Sequence, residues 1–253
     1  MGGWEGRGEY IESMLHRHLA GISHWIGAAL SAVPSQCAVC HAWPARRICE
    51  GCATRFAQPQ PRCQTCALPV PAGVTRCGQC VLEPPPLDAC IAAVGYGYPW
   101  AQALADFKFR ADPGWAPSLA TLLRSTPWIE PAIEAADCLI PIPLSRERLQ
   151  TRGFNQAALL ARALSPAKAD AATLLRTRAT EAQSSLPRKD RLRNLRGAFA
   201  LEPARATRVA GRQIVLVDDV MTTGATLHAA ARVLREAGAV HITALVVART
   251  DLH

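Results

Sequence analysis

"VLVDDVMTTGAT", residues 215–226, is the stretch whose reading decides the fold. It begins inside an apolar strand, "QIVLVDD" at 213–219, which is expected to end at two adjacent acids, Asp218 and Asp219. It then runs through Val220, Met221, Thr222, Thr223, Gly224, Ala225 and Thr226 into a helix. A strand that passes through a glycine-bearing turn into a helix is the elementary unit of a parallel α/β sheet. Gly224 lets the backbone turn closely, and the successive N–H groups at the helix start form an anion cradle. The three threonines add hydroxyl donors, so the turn suits a monophosphate. It is not a Walker loop, because G-x-x-x-x-G-K-[ST] is absent. Adjacent carboxylates repel each other. Just upstream of a phosphate they are well placed to accept hydrogen bonds from the paired hydroxyls of a ribose. A phosphate with two hydroxyls close by is a ribose 5-phosphate.

The flanking sequence repeats the strand–helix alternation. "CIAAVGYGY" (90–98), "DCLIPIP" (137–143), "TLLRT" (173–177) and "VHITALVVAR" (240–249) read as strands. "PWAQALADFKF" (99–109) reads as a helix opened by proline, and "SLATLLRS", "WIEPAIEAA", "NQAALLARAL" and "TLHAAARVLREAG" read as helices. "SSLPRKDRLRNLRGAF" (184–199) is basic and expected to be partly helical. Residues 89–253 therefore form an α/β domain with a parallel sheet, whose ligands sit beyond the carboxyl ends of the strands.

Ahead of it lies a different composition. Residues 37–82 are rich in cysteine, proline and glycine, and "LEPPPLD" (82–88) closes them with a stiff, extended boundary. Cys37/Cys40, Cys49/Cys52, Cys63/Cys66 and Cys77/Cys80 are four C-x-x-C pairs. Each pair makes a knuckle that presents two thiolates, and two knuckles complete a closed tetrahedral zinc site. Eight cysteines supply two structural zinc sites. Sequential pairing is the simplest arrangement, with the first two pairs on one zinc and the last two on another, and a cross-braced arrangement stays open. His24 and His41 read as bystanders, and Cys90 and Cys138 as small buried hydrophobes.

The chain of 253 residues carries 28 Lys+Arg against 20 Asp+Glu, a net charge of +8, which favours phosphate-rich partners. Residues 1–36 hold a tail and an amphipathic helix; His16, Arg17, His18 and His24 interrupt its apolar stretch and argue against a membrane span. No basic start followed by an apolar run marks a signal peptide, so a reducing cytoplasm is expected.

The stretch 215–226 resembles the phosphoribosyl pyrophosphate (PRPP) motif of type I phosphoribosyltransferases. With the cysteine module, "FKF" at 107–109, "PIPLSRERLQTRGFNQA" at 141–157 and "QSSLPRKDRLRNLRGAF" at 183–199, the chain resembles the ComF family over about residues 35–250. The resemblance implies a type I phosphoribosyltransferase fold behind a zinc ribbon, and a role in uptake or processing of transforming single-stranded DNA. It assigns Asp218 and Asp219 to the ribose hydroxyls, directly or through Mg2+, and Thr222 to Thr226 to the 5-phosphate. It places Arg148 and Arg152 toward pyrophosphate, and Arg188, Lys189 and Arg191 on a loop over the substrate. Gly153, Phe154, Asn155, Gln156, Gln183 and Asn194 belong to the same signatures. The pyrophosphate-loop dipeptide of other members is missing; "PIPLSR" stands in its place.

These residues also have plainer readings, and the basic run Arg188–Arg196 reads as a contact for nucleic acid phosphates in place of pyrophosphate. Arg148 and Arg152 read equally as solvated helix-end charges, Lys108 as an exposed residue of an amphipathic helix, and Phe154 as core. Three functions follow: transfer of ribose from PRPP to an acceptor, binding of single-stranded DNA with zinc ribbons docking a helicase partner, or sensing of PRPP without catalysis.

Overall fold

A computed structural model describes residues 35–177 and 197–251. The chain divides into two compact units at Cys49/Glu50. In the first, described from Ser35, a single antiparallel bridge joins Ser35 to Ala45, and the Ala38 N–H donates to the Arg47 carbonyl at 2.9 Å.

The second unit opens with α1 (Glu50–Phe56), a bridge between Arg62 and Pro69, and α2 (Gly78–Leu82). The chain then alternates. β1 (Ala89–Gly95) is followed by α3 (Trp100–Phe109), α4 (Trp115–Arg124) and α5 (Ile129–Ala135). β2 (Cys138–Pro141) leads to α6 (Arg146–Arg152) and α7 (Gln156–Leu164). β3 (Leu174–Arg176) pairs antiparallel with β4 (Phe199–Leu201). β5 (Gln213–Met221), α8 (Ala225–Glu236) and β6 (His241–Arg249) close the fold.

The main sheet has the order β1-β6-β5-β2, and every pairing in it is parallel. Its two central strands read as continuous apolar runs because both faces are covered. Ile214, Leu216, Ile242, Ala244, Val246, Ile140 and Ala92 face one core, with Leu227, Ala230, Ala231 and Leu234 of α8 and with Cys63, Cys66 and Cys80. The opposite face of the sheet is covered by α4 and α7, where Leu119, Leu123, Leu160 and Leu164 are fully buried. Each such side chain contributes roughly 1.5–3 kcal/mol when fully removed from water.

Among the described residues the expected strands and helices are present, with two differences in the strand ends. β5 runs on to Met221, so both acids lie within the strand and not at its end. Its register explains this: Asp218, Val220 and Met221 still pair with Val246, Ala248 and Arg249 of β6. β1 stops at Gly95, short of the expected Tyr98. After "PIP" the chain forms α6, which the Ser145 hydroxyl caps by accepting from the Arg148 N–H at 3.4 Å. Of the basic segment 184–199, Phe199 opens β4, while Gln183, Arg188, Lys189, Arg191 and Asn194 lie outside the described residues, as does the N-terminal amphipathic stretch. Among the described residues no helix is long and apolar enough to cross a membrane.

Candidate functional site

The site is built at the carboxyl end of β5. After Met221 the chain turns through Thr222, Thr223 and Gly224 into α8. Gly224 sits at φ +80°, left-handed backbone that L side chains rarely adopt. A Cβ there would stand 2.4 Å from Met221 Cε and 2.9 Å from His228 Nε2, so these side chains would have to shift, and the positive φ would strain any residue but glycine. Thr223 Oγ1 accepts from the Ala225 N–H at 3.4 Å. Thr222 is exposed, and Thr223 and Thr226 are half-buried at the start of a helix of 12 residues.

The paired acids have different neighbours. The Asp219 carboxylate is buried and forms a 2.8 Å ion pair with Lys108 Nζ on α3. The Asp218 carboxylate accepts the Asp219 backbone N–H at 2.9 Å. Burial first, and then the charge of Asp219, push the Asp218 carboxyl up to about 7, against the pull of Lys108 and Arg176. Lys108 is therefore not the exposed helix residue that its sequence position suggested; its side chain is 19% exposed and turned onto the motif.

Other cations converge on the same acids. Burial holds the Arg152 guanidinium below its ordinary value, while Asp219 and Asp218 draw it back up and Arg148 lowers it further. Arg176, on β3, is likewise lowered by burial and then by Arg148, and is drawn up by Asp218. Lys108 is thus ion-paired to one acid, Arg152 and Arg176 feel the charge of the acids, and Arg148 lies near both arginines, an excess of positive charge suited to a polyanion. The sequence pointed to Arg148 and Arg152. It missed Arg176 and passed over Lys108, because both are distant in the chain and only the fold brings them to β5. The lone lysine in "FKF" was the available signal.

The "RGFNQ" run at 152–156 resolves into separate tasks. Gly153 ends α6 in left-handed backbone at φ +78°. The Phe154 ring, half-buried, packs against Phe107 with centroids 5.8 Å apart, beside Lys108. The Asn155 side chain accepts from the Ala158 N–H at 3.3 Å to cap α7, and donates to the Ile142 carbonyl at 3.0 Å. Gln156 is fully buried and accepts from Arg152 Nη1 at 3.2 Å. The run holds Arg152 in place, with its guanidinium 5.3 Å from the exposed ring of Phe109.

The cysteines gather into two groups, Cys37, Cys40, Cys49 and Cys52, and Cys63, Cys66, Cys77 and Cys80, with sulfurs within 4.8 Å of one another in each. This is the sequential pairing of knuckles. None of these cysteines is in a disulfide. Cys40 and Cys49 sulfurs stand 3.6 Å apart, as do those of Cys66 and Cys77. Two thiolates on one tetrahedral zinc at ~2.3 Å would stand ~3.8 Å apart, so the spacing fits a shared metal. Burial works against ionising Cys63, but N–H groups of Cys77, Thr65 and Cys66 aimed at its sulfur pull it down to about 6. The donor set fits a closed structural metal site with no position left for substrate. His41 lies outside both groups. Cys90 is buried as expected, with burial pushing it up to about 12, whereas Cys138 is only half-buried.

A parallel sheet with a Thr/Gly turn leaving its central strand, two acids before the turn and cations around them, is the arrangement of a phosphoribosyltransferase-type domain. Residues 150–251 match the phosphoribosyl transferase domain family. The chain is 33% identical over 214 residues to DNA utilization protein YhgH of Escherichia coli strain K12, covering 80% of this chain and 90% of that one. It is 31% identical over 211 residues to competence protein F of Haemophilus influenzae, with the same coverage. Against competence protein ComFC of Bacillus subtilis it is 37% identical over 137 residues, 54% of each chain. The chain belongs to the ComF family.

Proposed function

We propose that the site binds PRPP or a related ribose 5-phosphate, and that the protein serves the handling of incoming single-stranded DNA in natural competence. One observation carries the ligand reading: the Thr/Gly turn follows directly on the two acids of β5, with Lys108 paired to Asp219 and the arginines 148, 152 and 176 grouped around them. In this reading the N–H groups and hydroxyls of Thr222 to Thr226 hold the 5-phosphate. Asp218 and Asp219 accept from the ribose hydroxyls. Lys108, Arg148, Arg152 and Arg176 take the diphosphate, with Arg188, Lys189 and Arg191 as further candidates. Mg2+ prefers oxygen ligands, and the carboxylates of Asp218 and Asp219 suit it alongside a diphosphate. The competence reading is supported by the names of the relatives.

Calorimetric titration with PRPP in Mg2+ tests the ligand. Binding is expected for the native chain and is expected to vanish when Asp218→Ala and Asp219→Ala are combined. No heat from the native chain would overturn the reading.

A second reading, direct binding of single-stranded DNA with a helicase docked on the zinc module, is favoured by the net charge of +8. It predicts that affinity for an oligonucleotide falls linearly with salt on logarithmic axes. Salt-independent binding, or none, would overturn it.

A further inference from the structure

We infer that Arg249 is a positioning residue for the phosphate turn, and that it makes the order of that turn depend on metal in the Cys63–Cys80 quartet. The inference rests on the ribose-phosphate reading of the turn. Arg249 ends β6, next to Met221 in the parallel register, and is 1% exposed. Its Nε donates to the Cys66 carbonyl at 2.9 Å, and the two hydrogens of Nη1 are shared among the Met221 carbonyl at 3.1 Å, the Thr222 carbonyl and the Thr250 carbonyl at 2.6 Å. One buried fork thus joins a metal knuckle to the two residues that enter the turn.

Peptide planarity gives this a consequence. The carbonyl of Thr222 and the N–H of Thr223 belong to one rigid trans unit and point in opposite directions. Holding the Thr222 carbonyl on Arg249 turns the Thr223 N–H away from the core, and the Met221 carbonyl does the same for the Thr222 N–H. These are donors that a phosphate would use. At its other end the fork is fixed by Cys66, whose sulfur belongs to the quartet. Without metal the knuckle loses the tether that closes it. Burying a cation is costly unless its donors are satisfied, so a shift of the Cys66 carbonyl is felt at the turn. Arginine alone spans both, since lysine lacks the planar fork.

The test compares the full chain with Arg249→Lys, both zinc-loaded, and adds Cys80→Ser, which opens this quartet without a chelator. Hydrogen exchange of the amides at 222–226 is read by mass spectrometry, and PRPP affinity by calorimetry. Zinc content and circular dichroism confirm that Arg249→Lys is folded. The expected result is about tenfold faster exchange and about tenfold weaker PRPP binding in both variants, and no further loss when they are combined. Native protection and affinity in Arg249→Lys would overturn the inference, and so would additive effects in the combination. If the native chain binds no PRPP, the functional reading fails, and exchange alone still decides the coupling: protection that depends on zinc and Arg249 sustains it, and protection indifferent to either overturns it.

Discussion

Lys108 Nζ lies 2.8 Å from Asp219 Oδ1, joining the end of α3 to the second acid of the motif on β5. The two residues are 111 positions apart in the chain. The pair is mostly shielded from water, so Lys108→Met leaves Asp219 desolvated without its partner. The expected loss is ~1–3 kcal/mol of stability, reduced by the partial exposure of the lysine. Urea unfolding measures it. A change within a few tenths of a kcal/mol would show the pair to be energetically idle.

Asp218 is expected to titrate near pH 7 in the ligand-free protein. The sign follows from its raised value. The folded state favours the uncharged carboxyl, so its contribution to stability is greatest below the ordinary carboxyl value near 3.8 and is lost as pH rises through about 7. Stability of the free protein should fall across that window, and Asp218→Asn should flatten the fall. Carbon-13 chemical shifts of the Asp218 carboxyl check the midpoint directly. Asp219→Asn, by removing the adjacent charge, should move it down. A midpoint near 4 in the native chain contradicts the described environment.

Gly224→Ala forces a Cβ into left-handed backbone already crowded by Met221 and His228. Left-handed backbone alone costs about 1–2 kcal/mol for a residue with a side chain. Thermal unfolding should report at least that loss, and PRPP binding should weaken with it. Unchanged stability would mean that the turn relaxes freely.

Native mass spectrometry should find two zinc ions per chain, one for each cysteine quartet. Cys66→Ser and Cys40→Ser should each lower that number by one. Metal removal should reduce the melting temperature, because metal binding supplies folding energy to segments with little core of their own. One zinc in the native chain would argue for a quartet filled by something else.

The α/β class, the four cysteine knuckles and the Thr/Gly turn after β5 were legible in the sequence because each rests on local pattern. The turn is a run of five residues, and a knuckle is four. β5 and β6 announced themselves as apolar runs buried on both faces. What was not legible is long-range. Arg176 feels the charge of Asp218 because β3 and β4 lie beside the sheet core, and no periodicity marks it. Lys108 was hidden by its place on a helix whose other residues are amphipathic. Arg249 looked like the polar end of an apolar strand, yet it is buried. The end of β5 was misjudged because polar Asp218 and Asp219 look like a strand terminus, while the ladder to β6 carries them to Met221.

The most direct test of the account is a crystal structure of the protein with PRPP and Mg2+. It should show the 5-phosphate on the backbone N–H groups of Thr222 to Thr226 and the ribose hydroxyls on Asp218 and Asp219. The diphosphate should be turned toward Lys108, Arg148, Arg152 and Arg176. A ligand bound elsewhere, or a turn that stays empty at saturating PRPP while calorimetry reports no binding, would contradict it.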